Sequence, residues 1–202
     1  MVPDYFNTIE TASIAEFKDR GSKFIAYTFP IADDAEFKEK LALLKKEHPN
    51  AVHHCFAYRL GLDGMNCRVS DDGEPSGTAG KPILGQIDSR QLTDVLIVVV
   101  RYFGGTLLGV PGLINAYKSV AALALQLTAL VRKPILVNYQ LQFDYTQMNE
   151  VMKVVKQFDC IIKKQEMQLF CLLKLGIPKI HHEEVLYKLN DLRGVELKPH
   201  IN

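Results

Sequence analysis

The stretch Val95-Leu96-Ile97-Val98-Val99-Val100-Arg101-Tyr102-Phe103-Gly104-Gly105-Thr106-Leu107-Leu108-Gly109-Val110-Pro111-Gly112 contains three events in succession. Residues 95–103 show no apolar/polar alternation, which predicts a strand buried on both faces. Residues 104–112 form a glycine-dense loop, and the largely apolar run over 111–130 predicts a long helix with proline in its first turn. A doubly covered strand beside a long apolar helix predicts an α+β arrangement with helices stacked on a sheet. Upstream, residues 6–17 and 23–31 read as a hairpin with Asp19-Arg20-Gly21-Ser22 at its tip. Asp33 and Asp34 mark the start of a helix with apolar positions Phe37, Leu41 and Leu44, ended near Pro49. Residues 52–60 and 67–70 bracket a turn at Asp63-Gly64, and a Gly/Pro/Ser-rich segment covers residues 71–82.

Downstream, the helical stretch stops at Val131-Arg132-Lys133-Pro134, a basic pair before a proline, which sets a domain boundary between residues 1–133 and 134–202. Beyond it, Ile135, Val137, Tyr139, Leu141 and Phe143 alternate with Leu136, Asn138, Gln140 and Gln142, the period-2 pattern of a strand with one mainly polar face. Thr146 can cap a helix with the stripe Met148, Val151, Met152, Val155 and Phe158. Residues 160–167 and 168–177 read as strands, residues 182–192 as a helix stopped by Gly194, and residues 195–199 as a last strand. The order βαββαβ is the ferredoxin-like pattern, which hosts many unrelated functions.

Composition narrows the class further. With 202 residues, 48% hydrophobic and 23% charged, the chain is long enough for one large or two small globular domains. Lys plus Arg number 24 against 23 Asp plus Glu, so no global charge draws nucleic acid, a membrane or an acidic substrate; a polyanion site must be a local patch. No apolar run exceeds six residues, far below the roughly 18 that suggest a spanning helix. The start carries Asp4 and Glu10 and does not read as a signal peptide, so a cytosolic protein is expected. Cys55, Cys67, Cys160 and Cys171 are widely spaced, arguing against a disulfide framework or zinc ribbon.

Two glycine-dense stretches are the segments that could carry chemistry: residues 70–82 and 101–112. Glycines let backbone N–H groups crowd an anion, and the second stretch joins a buried strand to a helix N-terminus, where the dipole favours negative charge. The same glycines equally suit tight turns and close helix-to-sheet packing. A phosphate-binding Walker loop would need glycine at Pro75 and a hydroxyl at Pro82, and a nucleophile elbow around Ser76 would need glycines at Glu74 and Thr78, so neither motif is present. Asp71, Asp72 and Glu74 offer hard oxygen ligands for magnesium or, alternatively, a solvated turn. His53 and His54 are adjacent and point to opposite faces of a strand, so with Cys55 they cannot all reach one ion. The second domain shows Asn138, Gln140 and Gln142 on its open face, with Phe170 its main aromatic candidate, which argues against a base-stacking RNA-recognition sheet.

Through His53-His54-Cys55-Phe56-Ala57-Tyr58, Asp71-Asp72-Gly73-Glu74-Pro75-Ser76-Gly77-Thr78-Ala79-Gly80, and Arg101-Tyr102-Phe103-Gly104-Gly105 to Tyr117, residues 1–130 resemble the YigZ/Impact family. The remainder is similar to the C-terminal domain of its bacterial members in length and element order. The resemblance implies a first domain like the second domain of ribosomal protein S-five and domain IV of elongation factor G, and a ferredoxin-like second domain like the last domain of that factor. It also brings in translational control, the role of eukaryotic relatives that restrain a stress kinase; those carry another N-terminal domain not found in this sequence, so kinase regulation is not carried over. Family members usually have Leu-Gly-x-Gly-Gly-Leu-x-Arg-Ala-Tyr where this chain reads Leu108-Gly109-Val110-Pro111-Gly112-Leu113-Ile114-Asn115-Ala116-Tyr117. Pro111 removes one N–H donor and Asn115 a cation, which weakens an anion site built from those positions.

The leading reading is a non-enzymatic, cytosolic nucleic-acid- or ribosome-associated protein, a translation regulator whose first domain holds RNA or DNA phosphates. Its candidate contacts are Arg59, Arg68, Lys81, Arg101 and Lys118 with Gly104, Gly105 and Gly109, provided the cations share one face. The family-motif residues beside them are His53, Asp71, Asp72, Gly73, Glu74, Ser76, Gly77, Thr78, Gly80, Tyr102 and Phe103. Arg101, at the carboxyl end of the buried strand, is expected either to form the principal anion site or to pair with a structural carboxylate such as Asp71 or Asp72. Two other readings stay open, a small-molecule phosphotransferase or nucleotide-binding enzyme and a protein-binding module. No cofactor, metal ion or membrane contact is expected.

Overall fold

The computed structural model of the chain describes residues 3–167 and 169–200. The chain divides into two compact units, Phe6–Lys133 and the part from Pro134 onward, with which residues 3–5 also group. Elements up to the boundary are β1 (Tyr5–Ile9), β2 (Ser13–Asp19), β3 (Ser22–Pro30), α1 (Asp34–Glu47), β4 (His53–Leu60), β5 (Asn66–Ser70), α2 (Gly80–Asp88), β6 (Val95–Tyr102), α3 (Gly109–Gln126) and β7 (Leu130–Pro134).

In the first unit, five antiparallel strands lie in the order β2-β3-β6-β4-β5. The central β6 explains its own sequence. Val95, Ile97 and Val99 pack with Ile83 and Ile87 of α2 and Leu113, Tyr117 and Val120 of α3, while Leu96 and Val98 pack on the opposite face with Phe37 and Leu44 of α1. Both faces are covered, so alternation has no polar half to display. The start of α1 is fixed by Asp33, whose carboxylate accepts from the amides of Ala35 and Glu36.

Three expectations are revised here. Residues 6–17 form two strands rather than one hairpin arm: β2 pairs with β3 around the Arg20-Gly21 tip, while β1 leaves to pair with β7 in a two-stranded sheet. The helix expected over residues 111–130 begins two residues earlier and ends at Gln126, where the Ser13 hydroxyl donates to the Ala124 carbonyl at 2.7 Å. Thr128 then donates to the Thr11 carbonyl at 2.6 Å, and the chain extends into β7. Within the Gly/Pro/Ser-rich segment, α2 begins at Gly80.

The second unit contains β8 (Leu136–Phe143), α4 (Met148–Gln157), β9 (Ile161–Met167), β10 (Cys171–Pro178), α5 (His182–Asp191) and β11 (Val195–Pro199). Its antiparallel sheet runs β11-β8-β10-β9. Leu141, Phe143, Leu173 and Leu175 pack against Val151 and Val155 of α4 and Val185 and Leu189 of α5, leaving the Gln140 and Gln142 side of β8 outside this core. Thr146 does not cap α4: it lies in a short 3-10 turn over Tyr145–Gln147 that leads into the helix, a turn capped by Asp144, whose carboxylate accepts from the Thr146 amide at 2.9 Å, and α4 itself starts without a side-chain cap. The strand expected from Gln168 is described from Cys171, and Gln168 itself lies outside the described residues. Among the described residues, no helix is long and apolar enough to cross a membrane.

Candidate binding cavity at the end of the central strand

The loop between β5 and α2 is built on its acids. The Asp71 carboxylate accepts from the amides of Gly77 at 2.8 Å, Ala79 at 3.0 Å and Gly80 at 2.8 Å. It thereby does the capping that Ala79 at the start of α2 does not do. Burial works against the Asp71 charge, but the three amides outweigh it and hold the carboxyl below the usual carboxylate range. Asp72 sits in left-handed backbone, its carboxylate accepting from the His54 amide at 2.6 Å. Its carbonyl accepts from His53 Nδ1 at 2.7 Å. Asp71 and Asp72 are thus directed at backbone amides, and no three His, Cys, Asp or Glu side chains gather as a metal site among the described residues.

Glu74 has a different target. Arg101 Nη1 donates to Glu74 Oε1 at 2.6 Å, with the two side chains 6% and 3% exposed. Tyr117 Oη donates to the same oxygen at 2.7 Å. The guanidinium lies between the rings of Phe24 and Phe103, 5.3 and 5.7 Å from their centroids, and Nη2 reaches the Ser22 hydroxyl at 3.4 Å. The carboxylate partner of Arg101 is therefore Glu74, because Asp71 and Asp72 are already engaged. Cys55 Sγ approaches the Asp71 carbonyl at 3.0 Å and Tyr117 Oη at 3.3 Å. Burial pushes the Cys55 thiol and the Tyr117 phenol far above their ordinary values, so neither is an activated nucleophile.

Above this cluster lies a cavity of about 430 Å³, within the range of ligand pockets. His53, Glu74 and Arg101 supply its polar floor, and Leu108 and Leu113 its inner wall. Register explains the floor, since His53 on β4 faces Arg101 on β6. At the mouth stand Leu107, 83% exposed, and Val52, Phe103 and Val110, each about half exposed. Gly109 and Val110 open α3 with amides not engaged within the helix, and Pro111 in the same first turn carries none. Arg101 Nε is one of the buried side-chain atoms that find no hydrogen-bond partner.

The other expected residues are dispersed. Arg59 shares the Arg101 face but lies at the far end of the strand pair, its Nη2 2.6 Å from Asp88 Oδ1 and its Nη1 donating to the Gly64 carbonyl. Arg68 lies over Phe37 and Phe56 on the α1 face, 5.9 Å from each centroid. Lys81 and Lys118 are exposed on α2 and α3. The provision that the cations share one face is therefore not met. Tyr102 points to the opposite face, its hydroxyl 2.8 Å from His48 Nδ1, whose Nε2 lies 2.6 Å from Tyr27 Oη. Gly104 lies against Gly21 so closely that a Cβ would stand 1.9 Å from the Gly21 carbonyl carbon. Gly73, Gly77, Gly105 and Gly109 adopt positive φ, Thr78 is buried with its hydroxyl donating to the Pro75 carbonyl at 2.7 Å, and Ser76 is exposed. Sequence reasoning missed the cavity mouth; the available signal was Leu107 and Val110, large apolar residues at the junction of the glycine-dense loop and α3.

Comparison with known proteins places these features in a family. The Impact N-terminal domain model matches residues 20–125, a span that contains the whole cavity. IMPACT family member YigZ of Escherichia coli (strain K12) is 38% identical over 86% of this chain and 85% of its own length. IMPACT family member YvyE of Bacillus subtilis (strain 168) is 34% identical over 81% of this chain and 75% of its own. A crystal structure of a hypothetical protein, 32% identical, covers 99% of both chains with a TM-score of 0.76. With the matched domain spanning half of the sequence and relatives aligned across both units, the chain belongs to the IMPACT family.

Proposed function

We propose that this protein is a non-catalytic binding component of translational control that engages a protein partner through the mouth of the cavity in its first unit. The setting in translation rests on family membership and on the role the resemblance brings from eukaryotic relatives. The observation that carries the mode of binding is the gathering of Val52, Phe103, Leu107 and Val110, exposed and apolar, around one cavity, while Arg59 and Arg68 occupy opposite faces of the sheet. Exposed apolar patches mark interaction surfaces, whereas a polyanion-tracking surface needs clustered cations. The likeness of the first unit to the second domain of ribosomal protein S-five, the ferredoxin-like reading of the second unit and a cytoplasmic setting belong to the same proposal. The βαββαβ order with sheet β11-β8-β10-β9 supports the ferredoxin-like part.

A nucleic-acid reading is favoured by one observation: half-exposed Phe103 stands beside the open first turn of α3, offering a ring for a base and amides for a phosphate. Retaining the tagged protein from lysate with and without nuclease, at low and moderate salt, separates the two. Protein partners that survive nuclease and are lost on Leu107→Asp are expected. Ribosomal RNA recovered without nuclease and unaffected by Leu107→Asp would overturn the protein-partner reading.

A further inference from the structure

The mouth of the cavity continues onto the outer face of α3. Val110, Ile114 and Lys118 follow one another at four-residue spacing, so they share one face of that helix, and all three are exposed. With Phe103 and Leu107 they make an apolar strip that starts at the mouth and runs along the first turns of α3 to a lysine. Lys118 is the single charged residue of α3, and no Asp or Glu occurs between Asp94 and Asp144. Glu74, the acid in the cavity lining, is buried against Arg101. The strip is therefore apolar with a positive end. The strands that meet the cavity, β4 and β6, are each paired on both sides, since the edges of the five-stranded sheet are β2 and β5. A segment laid on the strip finds no open strand edge beside it.

We infer that this strip receives an amphipathic helix of a partner protein, apolar on the face it presents and carrying a carboxylate about two turns along from the side chain that enters the cavity. The backbone decides for a helix. Apolar side chains offer nothing to the N–H and C=O groups of an extended segment, which would be buried unpaired, whereas a helix satisfies its own. Charge sets the direction in which the helix lies. Lys118 stands two turns beyond Val110, about 12 Å along α3, so an acid at that distance from the anchoring side chain meets it and the reversed helix leaves it without a partner. A basic helix is repelled there, and a nucleic-acid backbone finds one exposed cation on the strip where it needs several. The same strip on a second copy of the chain has no acid to offer Lys118.

This inference rests on the partner-binding reading above, and the two fail separately. Full-length protein is used to select displayed random peptides of about 16 residues, roughly four helical turns, with the Leu107→Asp protein as counter-selection. The enriched peptides are expected to repeat apolar residues at helical spacing and to carry Asp or Glu about two turns beyond the largest of them. A synthetic peptide of that sequence should gain helical circular dichroism on binding. Lys118→Glu, at an exposed position, should weaken it about tenfold as an attraction becomes a repulsion, and exchanging the peptide's acid for lysine should restore binding to that variant. Enriched peptides that are basic, or that bind without gaining helix, overturn the proposal. So do binding indifferent to Lys118→Glu, self-association of the protein that Leu107→Asp abolishes, and no enrichment at all. In each of those cases, lysate capture still lost on Leu107→Asp leaves the partner-binding reading in place, whereas capture indifferent to Leu107→Asp removes both.

Discussion

Replacing Arg101 with alanine is expected to destabilise the first unit strongly. The cation and Glu74 Oε1 are 2.6 Å apart in side chains 6% and 3% exposed, so deletion strands a buried carboxylate with Tyr117 Oη, at 2.7 Å, as a remaining donor. Breaking a buried pair from one side costs about 3–5 kcal/mol. The surviving tyrosine bond argues for the lower end, while loss of the guanidinium between Phe24 and Phe103 adds roughly 0.5–2 kcal/mol. A loss of about 4 kcal/mol follows, which lowers the midpoint of a domain this size by on the order of 12–20 °C. Circular dichroism melts and urea titrations followed by tyrosine fluorescence measure it, the chain having no tryptophan to mask that signal. Adding Glu74→Gln to the Arg101→Ala protein neutralises the stranded carboxylate and should recover about 1–3 kcal/mol. A single mutant within about 1 kcal/mol of the parent, with no gain on adding the second change, would falsify the structural role assigned to the pair.

Further expectations test the surroundings. Gly104→Ala should cost several times more than Gly105→Ala, because the first Cβ collides with Gly21 backbone whereas the second enters open space and meets only the positive-φ penalty of about 1 kcal/mol; equal urea midpoints would count against this packing. Asp71→Asn should cost about 1–2 kcal/mol at neutral pH as the amide cap weakens. Because the folded pKa of Asp71 is lowered, its contribution is present above the ordinary value of 3.8 and is lost as pH falls through the folded value, so stability of the variant should decline less steeply than the parent's below about pH 4, and parallel acid limbs would contradict it. Residues 134–202 should fold in isolation, since Leu141, Phe143, Val151, Leu173, Leu175, Val185 and Leu189 form a core within that span; a fragment without a cooperative thermal transition would refute it.

What was legible in the sequence was what local periodicity records. The unbroken apolar run of β6 and the alternation of β8 announced strands, because each reports how many faces are covered. Helix α2 was hidden because its first residues, Gly80-Lys81-Pro82, look like loop and its cap comes from Asp71, nine residues upstream. The pairing of Arg101 with Glu74 was hidden for a related reason. Three acids lie within four positions, and only the folded loop shows which of them turns inward. Likewise, Arg68 on β5 lies opposite Tyr58 in register, which carries it to the α1 face, away from Arg101.

The two glycine-dense stretches consequently answer the anion question in opposite ways. In the first, the amides of Gly77, Ala79 and Gly80 do converge on an anion, but it is the chain's own Asp71 carboxylate. A tethered group of this kind acts at an effective concentration far above that of any free phosphate, so an external anion must displace it to bind there. The convergence of amides that resembles a phosphate loop is therefore spent on fixing the start of α2 and on turning Glu74 toward Arg101. The second stretch is built differently: Gly104 is consumed by its approach to Gly21, while the amides of Gly109 and Val110 open α3 beside Phe103 and Leu107. On the proposed partner-binding reading, recognition falls to this second stretch, where apolar walls meet a floor of paired Arg101 and Glu74, and a ligand there would be selected by shape more than by charge.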